Sequence, residues 1–163
     1  MLFNTTIIAE CLNSYIFISV NIKEVNIGVD FYEQGLAIRL DNLFDGIENP
    51  NQYLQDPWEQ KSIHVVVEID SNVLGVGRLT YDEDGNGIVS QMAVKPDFRN
   101  RNIGFLILEH LIKLCVFKGS EKVYLSARES AVGFYEKMGF NVIGAKFPSP
   151  KTGIIHVSMV LSI

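Results

Sequence analysis

The sequence predicts one domain of mixed α/β (α+β) class, in which a mostly antiparallel central sheet carries helices on both faces. Turn sequences at residues 70–72 and 84–87 join three successive β-type segments, 62–70, 73–81 and 88–94. Short turns of this kind favour antiparallel hairpins. After residue 104, helical and β-type segments alternate. Helical crossovers of this kind place helices against the faces of a sheet.

Length and charge limit the classes of protein that fit. A chain of 163 residues with 47% hydrophobic content forms one domain, residues 1–163, with a sizeable core. The net charge of −5 argues against a general nucleic-acid binder, because such a protein needs a basic face. Cys11 and Cys115 are far apart in the chain, so free thiols in a reducing compartment are favoured over a disulfide.

The N-terminal segment does not have the pattern of a targeting sequence. No Lys or Arg precedes Lys23, and asparagines interrupt its apolar runs, so neither a signal peptide nor a membrane span fits. We therefore expect a cytoplasmic protein without membrane contact. The sequence is compatible both with an ordered segment at residues 1–14 and with a poorly ordered extension there.

The remaining elements follow in order along the chain. Segments 15–20 and 25–29 are both β-like, and at least one should be the first strand. Asp30 is placed to cap a helix that runs to about residue 44, while Gly35 weakens that helix a little. Residues 46–57 have loop composition, with room for one helical turn. The later elements are helix 105–117, strand 122–126, helix 130–138, strand 141–147, turn 148–153 and strand 154–161.

A basic loop lies between a strand and a helix. Pro96 ends the strand, and residues 99–104 lead into the apolar helical run. The backbone N–H groups of such a loop and the positive end of the helix dipole point at one place, which suits an anion. Arg99 and Arg101 add donors that match phosphate. A solvated turn whose arginines face water explains the loop equally well.

A second motif decides between these two interpretations. In residues 125–140, a strand end is followed by a short helix, a glycine and another strand. Together, the two stretches resemble the GNAT superfamily of acetyl-CoA-dependent N-acetyltransferases. The family pattern Arg/Gln-x-x-Gly-x-Gly/Ala falls on Arg99, Asn102 and Gly104. Its later pattern, Asn-x-x-Ala-x-x-Phe-Tyr-x-x-x-Gly-Phe, falls on the following residues: Arg128, Ala131, Phe134, Tyr135, Gly139 and Phe140.

The resemblance implies a binding site for acetyl-CoA, used as a co-substrate without a metal. In the family, the strand before the loop splays from its neighbour, and its backbone binds the pantetheine arm. The implied cofactor-binding residues are Met92, Ala93, Val94, Arg99, Asn100, Arg101, Asn102, Ile103, Gly104, Arg128 and Phe134. Asn100 and Asn102 stand where glycine is common, and asparagine tolerates left-handed backbone better than most residues. Arg128 stands where the family usually has asparagine.

The resemblance also suggests catalytic and substrate residues. Tyr135 corresponds to the tyrosine that protonates the departing CoA thiolate in many members; packing against neighbouring aromatic rings is the alternative. The strand before the loop offers no general base, since Ser90 and Gln91 cannot take a proton at neutral pH. Candidates for the acceptor side are His64, Glu68, Arg78 and His156, and Tyr53 and Trp58 lie in the loop expected over that side.

Two further stretches are similar to the small bacterial ElaA-type branch of the family. They are Gly-Val-Gly-Arg-Leu at residues 75–79 and Gly-Ile-Ile-His-Val-Ser-Met at residues 153–159, where the branch often has proline in place of Ile155.

The function expected from this resemblance is transfer of acetyl from acetyl-CoA to a primary amine, on a small molecule or a peptide, by direct attack in a ternary complex. An acyl-CoA-binding regulatory module that has lost catalysis is the alternative, favoured by the missing strand carboxylate. An oligomeric interaction domain without a CoA site fits the two motifs poorly. The acceptor is not readable from the sequence, and both a monomer and a homodimer are compatible with it.

Overall fold

A computed structural model describes residues 3–11, 14–44, 46–53 and 56–163, with side chains from Val20 onward. The described residues form eight strands: β1 (Phe3–Cys11), β2 (Ser14–Val25), β3 (Ile63–Ile69), β4 (Asn72–Tyr81), β5 (Gly87–Val94), β6 (Lys122–Arg128), β7 (Asn141–Pro148) and β8 (Ile155–Ser162). The helices are α1 (Asp30–Leu43), α2 (Ile103–Lys118) and α3 (Val132–Glu136). Short 3₁₀ turns include Pro50–Tyr53, Glu59–Lys61, Pro96–Phe98 and Glu129–Ala131.

All eight strands belong to one sheet, in the order β1-β2-β3-β4-β5-β6-β8-β7. Every pair is antiparallel except β5 and β6, which run parallel on either side of the α2 crossover. The predicted mixed, mostly antiparallel sheet is therefore confirmed. The β3–β4 turn is also as predicted: Asp70 and Ser71 both have positive φ, at 48° and 65°, as a tight two-residue hairpin requires.

The helices cover both faces of the sheet, as predicted. On β3, Val65 and Val67 pack in the core under α2, whereas Val66 packs with Ile38 of α1 on the other face. This alternation follows from the two-residue repeat of a strand, and both faces of β3 are apolar because both are covered. Cys115 of α2 is a free and fully buried thiol in the core, and burial raises its pKa to about 11.

Several elements differ from the expectation. Phe3–Cys11 pairs with β2 as an outer strand that the sequence did not predict, and β2 is one long strand that ends at Val25. Asp30 does not cap α1: the N-cap is Val29, and the Asp30 carboxylate accepts a hydrogen bond from Gln34 instead (2.7 Å). The predicted helix 130–138 is shortened to Val132–Glu136, because its first residues form a 3₁₀ turn. The single-domain boundary of 1–163 stays a prediction.

Among the described residues, no helix has both the length and the apolar content needed to cross a membrane. In the same part of the chain, no three His, Cys, Asp or Glu side chains are grouped so as to hold a metal ion.

Gly77 of β4 allows α2 to lie close to the sheet. A Cβ atom at this position would lie 2.5 Å from Ile107 Cγ2 and 3.0 Å from Leu111 Cδ1. Ile107 and Leu111 are both fully buried, so neither side chain can move aside freely.

We predict that Gly77→Ala lowers the free energy of unfolding by about 1–3 kcal/mol, the usual cost of overpacking a core. Chemical denaturation of the two proteins measures the difference. The matched control is Gly133→Ala, since a Cβ atom there meets nothing within 4 Å. Equal stability of Gly77→Ala and the native chain would contradict the close packing of α2.

Candidate active site

A cleft opens where β5 and β6 separate. The two strands are paired only from Gly87 to Val89 on β5 and from Val123 to Leu125 on β6. Beyond these three residue pairs, the side of β5 that faces β6 has no strand partner among the described residues. The open cleft measures about 800 Å³ and is lined by residues 89–92 of β5, residues 125–128 of β6, Leu43, Phe44, Ala131, Tyr135, Ser149, Lys151, Thr152 and His156. The splayed strand expected from the resemblance is thus present.

A bulge reshapes β5 beside the cleft. Arg78 and Val76 of β4 face Ser90 and Ala93, so Gln91 and Met92 together stand opposite Gly77. Gln91 has a φ of 53°, a left-handed conformation that costs free energy for a non-glycine residue. Bulges redirect backbone and side chains, and are over-represented beside active sites. The main chain around Met92 is therefore turned away from regular sheet geometry at the cleft.

Tyr135 stands at the wall of the cleft, on α3. Its hydroxyl donates to Met92 Sδ at 3.8 Å, and its ring packs edge-on against Phe134 and Phe140, with centroids 4.9 and 6.0 Å away. Burial raises the pKa of Tyr135 to about 12. The phenol therefore keeps its proton throughout the neutral range, and a protonated hydroxyl is what a general acid needs.

The basic loop presents unpaired backbone donors. Leu106 is the first residue of α2 whose N–H finds a backbone acceptor, Asn102 O at 3.0 Å. Residues 99–102 form a turn, and for the N–H groups of residues 100–105 no acceptor with good hydrogen-bond geometry is found in the part of the chain that the structure describes; no side chain caps the helix. Asn100 and Asn102 have φ values of 58° and 61°, the left-handed conformation anticipated for them. Such a run of N–H groups at a helix start suits an anion.

The arginines of the two motifs have defined partners. Arg99 donates to Val94 O (3.3 Å) and to Asn42 Oδ1 (2.7 Å), which ties the loop to α1. The guanidinium of Arg101 lies 5.5 Å from the centre of the Phe98 ring. Arg128 lines the cleft and donates to the Leu43 carbonyl at the end of α1 (2.7 Å).

Two of the other residues expected to bind the cofactor offer only backbone groups. The side chains of Ala93 and Ile103 are buried in the core, so only their main-chain groups are available. Gly104 lies beneath Phe134: a Cβ atom there would be 3.5 Å from the ring. Phe134 therefore packs α3 against the start of α2.

A buried group of charged side chains lies next to the cleft, behind β5. The Glu59 carboxylate accepts hydrogen bonds from Arg39 (2.5 and 3.1 Å), Arg78 (2.6 Å) and Tyr32 (2.8 Å). Burial by itself raises the pKa of Glu59, but Arg39, and then Tyr32 and Arg78, outweigh it and hold the pKa below its usual value. Glu59 is therefore ionised and fully engaged, which makes it a structural anchor.

Arg78 connects this group to the cleft. Its guanidinium also donates to both oxygens of Asp56 (2.9 Å each) and, through Nε, to Ser90 Oγ on β5 (2.9 Å). Lys151 Nζ lies 3.6 Å from the same Asp56 carboxylate. Burial raises the pKa of Asp56, but the hydrogen bonds and charge of Arg78, together with the Trp58 N–H and Lys151, lower it below the usual value. Asp56 is therefore a charged link between the loop before β3 and the turn before β8.

The structure separates the four residues suggested for the acceptor side. His156 lines the cleft, and Arg78 borders it through Ser90. His64 lies under the 3₁₀ turn Glu59–Lys61, with Nε2 2.9 Å from the Glu59 carbonyl, and burial lowers its pKa. Glu68 lies at the other end of β3, paired with Lys23 (2.7 Å) and Asn21 (2.9 Å). Neither His64 nor Glu68 is brought to the cleft.

The loop residues Tyr53 and Trp58 lie beside the cleft rather than in it. Tyr53 stacks on Phe44, which lines the cleft, with ring centroids 5.7 Å apart. The Trp58 side chain is 52% exposed.

Three residues near the site were not singled out from the sequence: Asp56, Glu59 and Lys151. All three lie in segments whose composition predicts only loop or turn. Their partners are distant in the chain, and no local spacing indicates a pairing such as that of Glu59 with Arg39 and Arg78.

Comparison with known proteins gives the family. The model of the acetyltransferase (GNAT) family matches residues 32–140. An uncharacterised N-acetyltransferase of Bacillus subtilis, YjcF, is 31% identical over 105 residues, which is 64% of this chain and 74% of that protein. The glucosamine 6-phosphate N-acetyltransferase of Schizosaccharomyces pombe is 37% identical over 89 residues, 50% of this chain and 80% of that protein. The chain therefore belongs to the acetyltransferase (GNAT) family.

A solved structure shows the same fold. The GNAT family acetyltransferase of Elizabethkingia anophelis, solved with acetyl-CoA bound, is 15% identical to this chain with a TM-score of 0.69. The match covers 88% of this chain and 98% of that one. Fold and family together define an acetyl-CoA-dependent acetyltransferase.

The positive φ of Asn102 generates a prediction for the loop. Because glycine adopts this conformation without strain, Asn102→Gly should leave acetyl-CoA affinity unchanged or slightly higher, whereas Asn102→Val should weaken it. Calorimetric titration with acetyl-CoA measures both. A large loss of affinity in the glycine variant would show that the asparagine side chain itself binds.

Proposed function

We propose that this protein transfers acetyl from acetyl-CoA to a primary amine by direct attack within a ternary complex. The observation that supports this most is the shared cleft: the separated edge of β5 and the hydroxyl of Tyr135 meet there. The relatives named as N-acetyltransferases favour nitrogen as the acceptor atom. The ElaA-type branch is also part of the proposal, and it rests on residues 75–79 and 153–159 alone.

In this proposal, acetyl-CoA binds along the free edge of β5. The N–H groups of residues 100–105 receive the diphosphate, and Arg99 and Arg101 add positive charge beside it. The main chain of Met92 and Val94 holds the pantetheine arm, which the missing strand partner leaves room for. The bulge at Gln91 then directs a main-chain donor at the thioester oxygen.

The amine lone pair attacks the thioester carbon, and the carbonyl oxygen becomes an oxyanion. As the intermediate collapses, the C–S bond breaks and the CoA thiolate takes the hydroxyl proton of Tyr135. Solvent then reprotonates the tyrosine, and no covalent enzyme intermediate is formed.

We assign His156 as the base that accepts the proton lost by the attacking amine. Its Nδ1 lies 2.8 Å from the Ile154 carbonyl, and a carbonyl only accepts hydrogen bonds, so Nδ1 carries the hydrogen in the neutral ring. Nε2 is therefore left as a proton acceptor in a residue that lines the cleft. An imidazole nitrogen is the group that most often serves as a general base in enzymes. Asp56 and Glu59 suit this role less, because arginines hold both as ionised, weakly basic carboxylates.

Tyr135→Phe tests catalysis directly. The variant keeps the ring that packs against Phe134 and Phe140 and removes only the proton source, so we expect turnover of a reactive amine to fall about 10²-fold, or near 3 kcal/mol of barrier. Melting temperature and acetyl-CoA affinity should hardly change. Turnover is measured by release of the CoA thiol.

Full activity of the phenylalanine variant would rule out the acid role. An unfolded or destabilised variant would instead assign Tyr135 to packing. A native chain that binds acetyl-CoA but acetylates no amine would favour the regulatory module.

His156→Gln tests the assigned base through turnover. The glutamine side chain cannot accept a proton at neutral pH, so turnover of a reactive amine should fall about 10²-fold, while acetyl-CoA affinity should hardly change. Release of the CoA thiol and calorimetric titration measure the two. Native turnover in the glutamine variant would place the base elsewhere.

A further inference from the structure

The charges around the cleft differ in sign from the protein as a whole. The chain has a net charge of −5, yet the charged side chains among the described lining residues are Arg128 and Lys151. No carboxylate of the described residues lines the cleft. A cationic acceptor such as a polyamine would meet two positive charges there and no negative one.

The neighbouring carboxylates do not cancel this charge. Asp56 and Glu59 are contacted by three cations: Arg39, Arg78 and Lys151. These three cations and two carboxylates together carry a net charge of +1, and Arg128 adds a further positive charge. Arg128 uses one N–H for the Leu43 carbonyl, and its guanidinium has four more donors.

This positive charge is separate from the loop that we assign to the CoA diphosphate. None of residues 95–104 lines the cleft, whereas the turn that holds Ser149, Lys151 and Thr152 does. Lys151 extends into the cleft from that turn with 37% of its side chain exposed, so it is accessible to a ligand. The backbone N–H of Lys151 is itself held by Ser149 Oγ at 3.3 Å, which orients the turn.

We propose that the acceptor is an amine that also carries an anionic group, either phosphate or carboxylate. Lys151 and Arg128 bind this group in the cleft. The inference rests on the proposed function. The anionic group would compete with Asp56 for Lys151, whose Nζ lies 3.6 Å from the Asp56 carboxylate. Asp56 would keep its two hydrogen bonds from Arg78. The amine end of the acceptor then lies toward His156 and the thioester.

The experiment compares matched amines with acetyl-CoA as the donor. One pair is O-phosphoethanolamine and ethanolamine, and the other is γ-aminobutyrate and n-butylamine. We expect kcat/KM to be about tenfold or more higher for the anionic member of at least one pair, as one or two charge-assisted contacts would give. The pair that shows the preference distinguishes phosphate from carboxylate.

Lys151 variants locate the effect. Lys151→Ala should raise KM for the anionic amine about tenfold while leaving the neutral amine and KM for acetyl-CoA unchanged, and Lys151→Arg should retain the preference. Lys146→Ala is the matched control: this lysine of β7 has 64% of its side chain exposed, pairs with Glu129, and does not line the cleft.

Three results would overturn the inference while leaving the proposed function intact. They are equal use of both members of each pair, equal loss of activity on both members in Lys151→Ala, and a rise in KM for acetyl-CoA instead of the amine. Acetylation of none of the four amines would overturn the proposed function, and this inference with it.

Discussion

The end of the β5–β6 pairing after Val89 is the constraint on which the site depends. Paired parallel strands normally stay hydrogen-bonded until one of them ends. Here β5 and β6 both continue for several residues after their mutual hydrogen bonds stop. An unpaired strand edge inside a protein leaves polar groups unsatisfied unless a ligand or water takes them. The fold thus provides main-chain donors and acceptors to a bound molecule without using side chains, which agrees with the apolar character of Met92, Ala93 and Val94.

The buried charges around Glu59 hold the cleft in shape. Tyr32 and Arg39 come from α1, Arg78 from β4, and Glu59 from the loop before β3, so one carboxylate fixes three elements. A buried ion pair adds little net stability, because desolvation offsets most of the attraction, but removal of one partner leaves an uncompensated charge. The contribution of Glu59 is therefore to geometry: through Arg78 it positions Asp56 and also Ser90, which lies next to the bulge.

The sequence predicted most of the fold because its strands and turns are locally encoded. Alternating β-branched residues, the Asp-Ser turn and the apolar helix at 105–117 each determine their element from neighbours in the chain. The left-handed backbone at Asn100 and Asn102 could also be anticipated, since the family pattern has glycine there. The sequence could not predict the bulge at Gln91 or the partners of Glu59. Both depend on contacts between β4, β5 and α1, which no local sequence pattern indicates. The strand Phe3–Cys11 was missed since only its pairing with β2 distinguishes it from an apolar extension.

The direct attack that we propose places separate demands on the basic loop and on the cleft. The donor is strongly anionic, so it needs positive potential at its diphosphate, far from the thioester. The acceptor amine must arrive neutral, which is harder if carboxylates surround it, because negative charge stabilises the ammonium form. Among the described residues, no carboxylate lines the cleft, so none there would stabilise that form. The lining that would bind an anionic group on the acceptor therefore also suits an amine that must react in its neutral form.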